Sequence, residues 1–156
     1  MKQIGNFGGS TTTSTAKDVL SKVKTTRESV TSSTTLQDDN DFSFSLKANT
    51  TYAINATNIV SAPSSGGIKW FFTLPSGASG RASAKCASGS TVDFDISVGG
   101  SISGLIIPTN SDADLRFIGY VTTTTAGTII FQWAQNTSNA TATYIERGST
   151  MILTEV

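Results

Sequence analysis

The chain has no histidine. That excludes a Cys–His pair, a Ser–His–Asp triad and any histidine-ligated metal site. Its one cysteine, Cys86, has no second thiol to bridge, and in GRASAKCASGS it reads as a small buried or half-buried strand residue. No apolar run reaches the roughly 18 residues of a membrane span, and the N-terminus lacks the apolar core of a signal peptide. A soluble chain with no membrane partner is the expectation. Charge is scarce too: 14% of residues are Asp, Glu, Lys or Arg, against a typical ~25%.

Serine and threonine supply the water-compatible surface instead. Threonine is β-branched and suits a pleated, half-exposed backbone, so the composition points to an all-β protein. The 156 residues amount to one domain with a possible appendage, large enough to fold without cross-links. Charges balance overall but not locally. Residues 1–35 carry Lys2, Lys17, Lys22, Lys24 and Arg27 against Asp18 and Glu28, and the remainder is correspondingly acidic. A basic opening segment and an acidic body can attract each other, within a chain or between copies. With no overall basic excess and no aromatics interleaved with Lys/Arg clusters, no nucleic-acid partner is expected.

The opening differs from the rest. GNFGGSTTTST has a linker-like composition; Phe7 within it and Ile4 just before it are large apolar side chains. STAKDVLSKVK fits a short helix, capped by Ser14 or Thr15, with Val19, Leu20 and Val23 on one face. So short a helix is marginal alone and needs a surface to dock on. Residues 1–22 therefore read as an N-terminal arm and 23–156 as the folded domain, with Ile4, Phe7, Val19, Leu20 and Val23 as the arm's candidate partner contacts.

Beyond the arm the apolar period becomes two. FSFSL sets Phe42, Phe44 and Leu46 on one face, and TYAINATNIV does the same for Tyr52, Ile54 and Ala56. IKWFFTL aligns Ile68, Trp70, Phe72 and Leu74; TVDFDISV aligns Val92, Phe94, Ile96 and Val98. Further alternating runs lie in SGLIIP, DLRFIGYVTTT, GTIIFQWAQ, ATATYIE and STMILTEV, separated by Gly, Asp, Asn and Ser. Such a pattern predicts an antiparallel β-sandwich or jelly roll.

Candidate chemistry is thin. Asp38, Asp39 and Asp41 bring oxygen ligands together, but the spacing is not that of a calcium loop, and a solvated turn before a strand fits better. Asp93 and Asp95 share one strand face, whereas a glycosidase pair faces across a cleft; solvent-facing alternation explains them. Trp70 and Trp133 lie on the apolar faces of their strands, which favours the core over sugar stacking. The N-x-S/T triplets at Asn49, Asn55, Asn136 and Asn139 are readily produced by a threonine-rich chain. No catalytic, cofactor or metal residue is expected, and the protein is read as one that works through its surfaces. Glu146 and Arg147 flank an RGS turn, where a solvated charge pair is expected.

Three longer stretches carry a family likeness: ESVTSSTTLQDDNDFSFSLKANTTYAI, GGIKWFFTLPSGASG and GTIIFQWAQNTSNATATYIERGSTMIL. Over residues 27–156 this series resembles a recurrent β-sandwich module of tailed-bacteriophage virion proteins. The resemblance implies a non-enzymatic structural domain of the particle, in capsid-decorating or tail-associated proteins, and supplies no catalytic residues. It further implies a virion location, with the major capsid protein or other virion proteins as partners. A decoration or cement protein with an arm reaching a neighbouring subunit is the expected role. A homo-oligomer, a trimer by class, is expected from the second faces of IKWFF and GTIIF. A tail, tail-tip or head-fibre subunit and a carbohydrate-binding module are the alternatives.

Overall fold

The computed structural model describes residues 16–86, 91–98, 103–105 and 112–156, and among them every regular element is a strand. In chain order these are β1 (Val19–Val23), β2 (Glu28–Val30), β3 (Gln37–Leu46), β4 (Thr51–Ser61), β5 (Ile68–Thr73), β6 (Ser79–Cys86), β7 (Thr91–Ser97), β8 (Ser103–Leu105), β9 (Ala113–Thr122), β10 (Gly127–Ala134), β11 (Thr143–Ile145) and β12 (Thr150–Glu155). Every pairing is antiparallel. The larger sheet runs β1-β12-β4-β9-β6-β7, with β11 joining β2 to the end of β4. The smaller runs β3-β10-β5-β8.

The order is nested. β5 pairs with β8 in the smaller sheet, β4 with β9 in the larger, β3 with β10 in the smaller, and β1 with β12 in the larger. A long hairpin wrapped so that successive pairs alternate between sheets is a jelly roll. The β6–β7 hairpin lies inside the innermost connection and extends the larger sheet from β9.

Both sheets turn their apolar alternation inward. Phe42, Phe44, Leu46, Ile68, Trp70, Phe72, Ile129, Phe131 and Trp133 face Tyr52, Ile54, Ala56, Leu115, Phe117, Val121, Met151 and Leu153 across the sandwich. Aromatic rings dominate the middle. Phe117 meets Trp70 edge-on at 5.2 Å between centroids and Phe131 at 5.6 Å, and Phe72 lies 5.3 Å from Phe131. Each fully buried large apolar side chain is worth roughly 1.5–3 kcal/mol, and edge-on ring contacts add about 0.5–1.5 kcal/mol per pair. Cys86 is buried in this core, as its sequence setting predicts.

Several expectations change. Val19–Val23 is a strand, not part of a helix, because pairing with β12 from Val19↔Thr154 to Val23↔Thr150 satisfies its backbone, which an isolated short helix cannot match. The period is therefore two. Val19 and Val23 point outward and are exposed, while Leu20 turns the other way and packs against the core. The expected boundary between residues 22 and 23 consequently falls inside β1. Ile4 and Phe7 lie outside the described residues, as does the part of SGLIIP beyond Leu105. Val98 sits past the end of β7 and is exposed, not in line with Ile96.

Two strand-interior glycines mark a close approach of β6 and β9. A Cβ on Gly80 would collide with the Tyr120 carbonyl oxygen and stand 2.8 Å from the Val121 Cα; one on Gly119 would meet the Arg81 carbonyl and Ala82. Only backbone can yield there, so glycine is required by space. We expect Gly80→Ala to cost about 1–3 kcal/mol, the scale of core overpacking. Thermal denaturation should show the loss, and an unchanged midpoint would refute the close approach.

Candidate functional site

The described residues offer two features with chemical character: a buried ammonium amid carboxylates, and a sheet face on which five large apolar side chains are exposed among polar ones. The first begins at the end of β1. Lys24 is 1% exposed, and its Nζ donates to Glu28 Oε2 at 2.8 Å and to both Asp39 oxygens at 2.9 Å, with Asp41 Oδ2 at 3.4 Å. Its backbone N–H donates to the Ser149 carbonyl, and its carbonyl accepts from Gly148 N–H. The Phe42 ring centroid lies 5.6 Å from the ammonium.

These contacts revise the reading of DDND as a solvated turn. The local turn chemistry is present: Asp39 Oδ1 accepts from the amides of Asp41 and Phe42 at 3.0 and 3.1 Å. It lies inside β3, as a bulge where pairing with β10 jumps from Ile130↔Ser43 to Gln132↔Asp38. The bulge turns Asp39 inward, where its side chain is 0% exposed. Water therefore does not balance its charge, and Lys24 does. The ammonium takes the cation's place among these carboxylates, which is the opposite of a vacant calcium loop. Burial alone would pull the Lys24 pKa down. Hydrogen bonds and Coulomb attraction from Glu28 and Asp39 outweigh it, so the group titrates above its ordinary 10.5.

Other charges follow the same logic nearer the surface. Glu146 pairs with Arg27 Nε at 2.8 Å, and Arg27 lies 4.5 Å from the Tyr144 ring centroid. Glu146 is thus a buried acid held by a distant cation, not half of a solvated pair with Arg147. Lys47 binds Asp18 at 2.8 Å and Glu155 at 3.0 Å. Asp18 and Glu155 also join β1 to β12 through the Glu155 amide and Asp18 carbonyl. The Lys47 ammonium, aided by the Asp18 amide, holds the Glu155 carboxyl below the usual range. The basic opening segment and acidic body do meet within the chain, through Lys24 and Arg27.

The polar stretch after β10 is structural. Gln135 Oε1 accepts from the amides of Ser33 and Asn139, and its Nε2 donates to the Thr141 carbonyl. Asn139 Nδ2 donates to Ser65 Oγ, and its Oδ1 caps the Thr141 amide. Trp70 and Trp133 sit opposite one another on β5 and β10, both 0% exposed, so neither offers a stacking face to a sugar. Asp93 and Asp95 are exposed, side by side on β7, with Arg81 3.4 Å from Asp95.

The second feature is the outer face of the larger sheet. Register places Ser21, Ile152, Asn55, Ile118, Ser83 and Asp93 in one cross-strand row, and Val19, Thr154, Ala53, Tyr120, Arg81 and Asp95 in the next. Ile118 is 66% exposed, Val19 62%, Val23 56%, Tyr120 48% and Ile152 38%. A shallow depression of about 350 Å³ opens on this face between Arg81, Ala82, Ser83, Asp93 and Ile118. By contrast, Phe71 and Ile130, on the second faces of IKWFF and GTIIF, are half-buried on the smaller sheet. Sequence reading missed the larger face because DLRFIGYVT is apolar on both sides of the strand.

Replacing Lys24 by Met leaves the Asp39 carboxylate buried without its cation. Removing one partner of a buried ion pair costs about 3–5 kcal/mol, and we expect that loss in urea denaturation at neutral pH. Lys24→Met/Asp39→Asn, which removes the orphaned charge and keeps an oxygen for the bulge amides, should recover most of it. Because the Lys24 pKa is raised on folding, its contribution is complete below 10.5 and fades as pH climbs through the folded value. On the alkaline side the wild-type advantage over Lys24→Met should therefore shrink only in strong alkali; a difference insensitive to pH there, or a single variant as stable as wild type, would contradict the assignment.

No family model matches the chain, and no curated protein does. Solved structures with some similarity include the VP2 subviral particle of infectious bursal disease virus, at 15% identity and a TM-score of 0.26, covering 89% of this chain and 37% of that one. The Gx strain of the same virus gives 12% identity and a TM-score of 0.26, over 90% of this chain and 41% of the other. The chain thus spans about two-fifths of the length of these structures, and likeness at this level assigns it neither a family nor a function.

Proposed function

We propose that this chain is a non-enzymatic structural protein of a bacteriophage virion, a decoration or cement protein that stabilises the head. The observation that carries the reading is the gathering of Val19, Val23, Ile118, Tyr120 and Ile152 on one face of one sheet. Large apolar side chains collected on a single exposed face mark a contact surface. The series of sequence motifs that resembles the virion module supplies the kind of particle. The major capsid protein or another virion protein is the partner, and association between copies belongs to the same role.

The arm keeps its place in this proposal with altered limits. Residues 1–15, including Ile4 and Phe7, precede β1, while Val19 and Val23 already belong to the exposed face. Removing residues 1–22 would strip most of β1 from β12 and break the Asp18–Lys47–Glu155 link. The informative truncation is therefore residues 1–15. We expect the truncated protein to keep its tryptophan fluorescence and denaturation midpoint and to lose binding to undecorated capsids. Full occupancy by the truncated protein would refute the arm's role, and absence of binding by the intact chain would refute the capsid assignment.

A further inference from the structure

We infer that the outer face of the larger sheet docks a second copy of this chain, face to face, around Ile118 and Tyr120. The inference rests on the proposed contact role only in treating this face as a contact surface; it goes further by naming the occupant. Three observations favour a second copy.

The first is fit. Ile118 and Tyr120 stand proud on β9, whereas the neighbouring Ala53 and Ser83 are small. The depression beside Ile118 is lined by Arg81, Ser83 and Asp93. A tyrosine from a second copy matches that lining: its ring packs on Ile118 under the Arg81 guanidinium, and its hydroxyl donates to the Asp93 carboxylate. The same surface presents knob and hole, so contact i to j is repaid by j to i, the requirement of a two-fold interface.

The second is charge. Strands β6, β7 and β9 carry Arg81, Lys85 and Arg116 against Asp93, Asp95 and Asp114 on or beside this face. Three cations and three anions leave it neutral, with Arg81–Asp95 and Arg116–Asp114 paired within each copy, so two copies meet without net repulsion. The third is extent. Six strands at about 4.8 Å spacing and some seven residues at about 3.3 Å give a planar footprint near 550 Å². That lies below the roughly 800 Å² per partner of a standard interface and in the range of weak, reversible association. A face that meets itself closes as a dimer; the trimer expected by class needs two different patches on each copy.

The test is sedimentation equilibrium of the intact chain over micromolar concentrations, with Ile118→Asp and Tyr120→Ser as variants. Both positions are exposed, and unchanged tryptophan fluorescence confirms folding. We expect wild type to dimerise and each variant to associate about tenfold more weakly or worse, as for a central interface residue. A wild type that stays monomeric overturns the inference, as do variants that dimerise like wild type. Loss of association on changing Phe71 or Ile130 instead would move the interface to the smaller sheet and also overturn it. Capsid binding measured in parallel separates the two readings. A monomer whose capsid binding falls with Ile118→Asp makes the capsid protein the occupant, against this inference. A dimer that never binds capsids preserves it and removes the virion role.

Discussion

The buried Lys24 ammonium is the contact on which the described structure most depends. It lies just past the end of β1, in the larger sheet, and its most buried partner, Asp39, sits in the bulge of β3, in the smaller one. Glu28, at the start of β2, completes the cage and also receives Gln37 Nε2 and the Asn40 amide. One cation therefore ties both layers of the sandwich where β1 and β3 form their edges. Its net contribution to stability is modest, since burying charge offsets most of the attraction. What it imposes is specificity: Asp39 cannot be inside unless Lys24 is, and so the β3 bulge and the placement of β1 are coupled.

That coupling bears on the surface. β1 contributes Val19 and Val23 to the outer face of the larger sheet, and its register on β12 sets their position beside Ile152. The close β6–β9 approach at Gly80 and Gly119 sets the other half, presenting Ile118 and Tyr120 beside Arg81 and Ser83. The inner faces, dominated by aromatic rings, hold the sheets together and leave the outer face free for contact. The interior serves stability, and Val19, Val23, Ile118, Tyr120 and Ile152 are exposed on one side of one sheet.

Much of this was legible in the chain, and the limits have physical causes. Period-two runs such as FSFSL and IKWFF place Phe42, Phe44, Trp70 and Phe72 inward because each run has one clearly apolar face. VLSKV did not declare itself: five residues with apolar positions at 19, 20 and 23 satisfy a helical stripe and a strand alike, and only the distant β12 decides. DLRFIGYVT is apolar at 115, 117, 118, 120 and 121, so neither face is marked as the inner one. DDND announced local Asp–amide bonding, which the structure has as a bulge inside β3 and not as a solvated turn; the charge that draws Asp39 inside comes from Lys24, fifteen residues earlier. Nothing in local spacing encodes that pairing. The nested strand order has the same origin, since it depends on registers between remote segments.

The proposed role is contact on a viral shell, with the outer face of the larger sheet covered by a protein surface. A cryo-electron microscopy reconstruction of particles carrying the protein tests it most directly. The account predicts copies distributed over the capsid surface at repeated capsomer positions, with Ile118, Tyr120 and Ile152 covered by another protein surface. Copies confined to the tail or a single vertex, or copies on the shell with that face open to solvent, would contradict it.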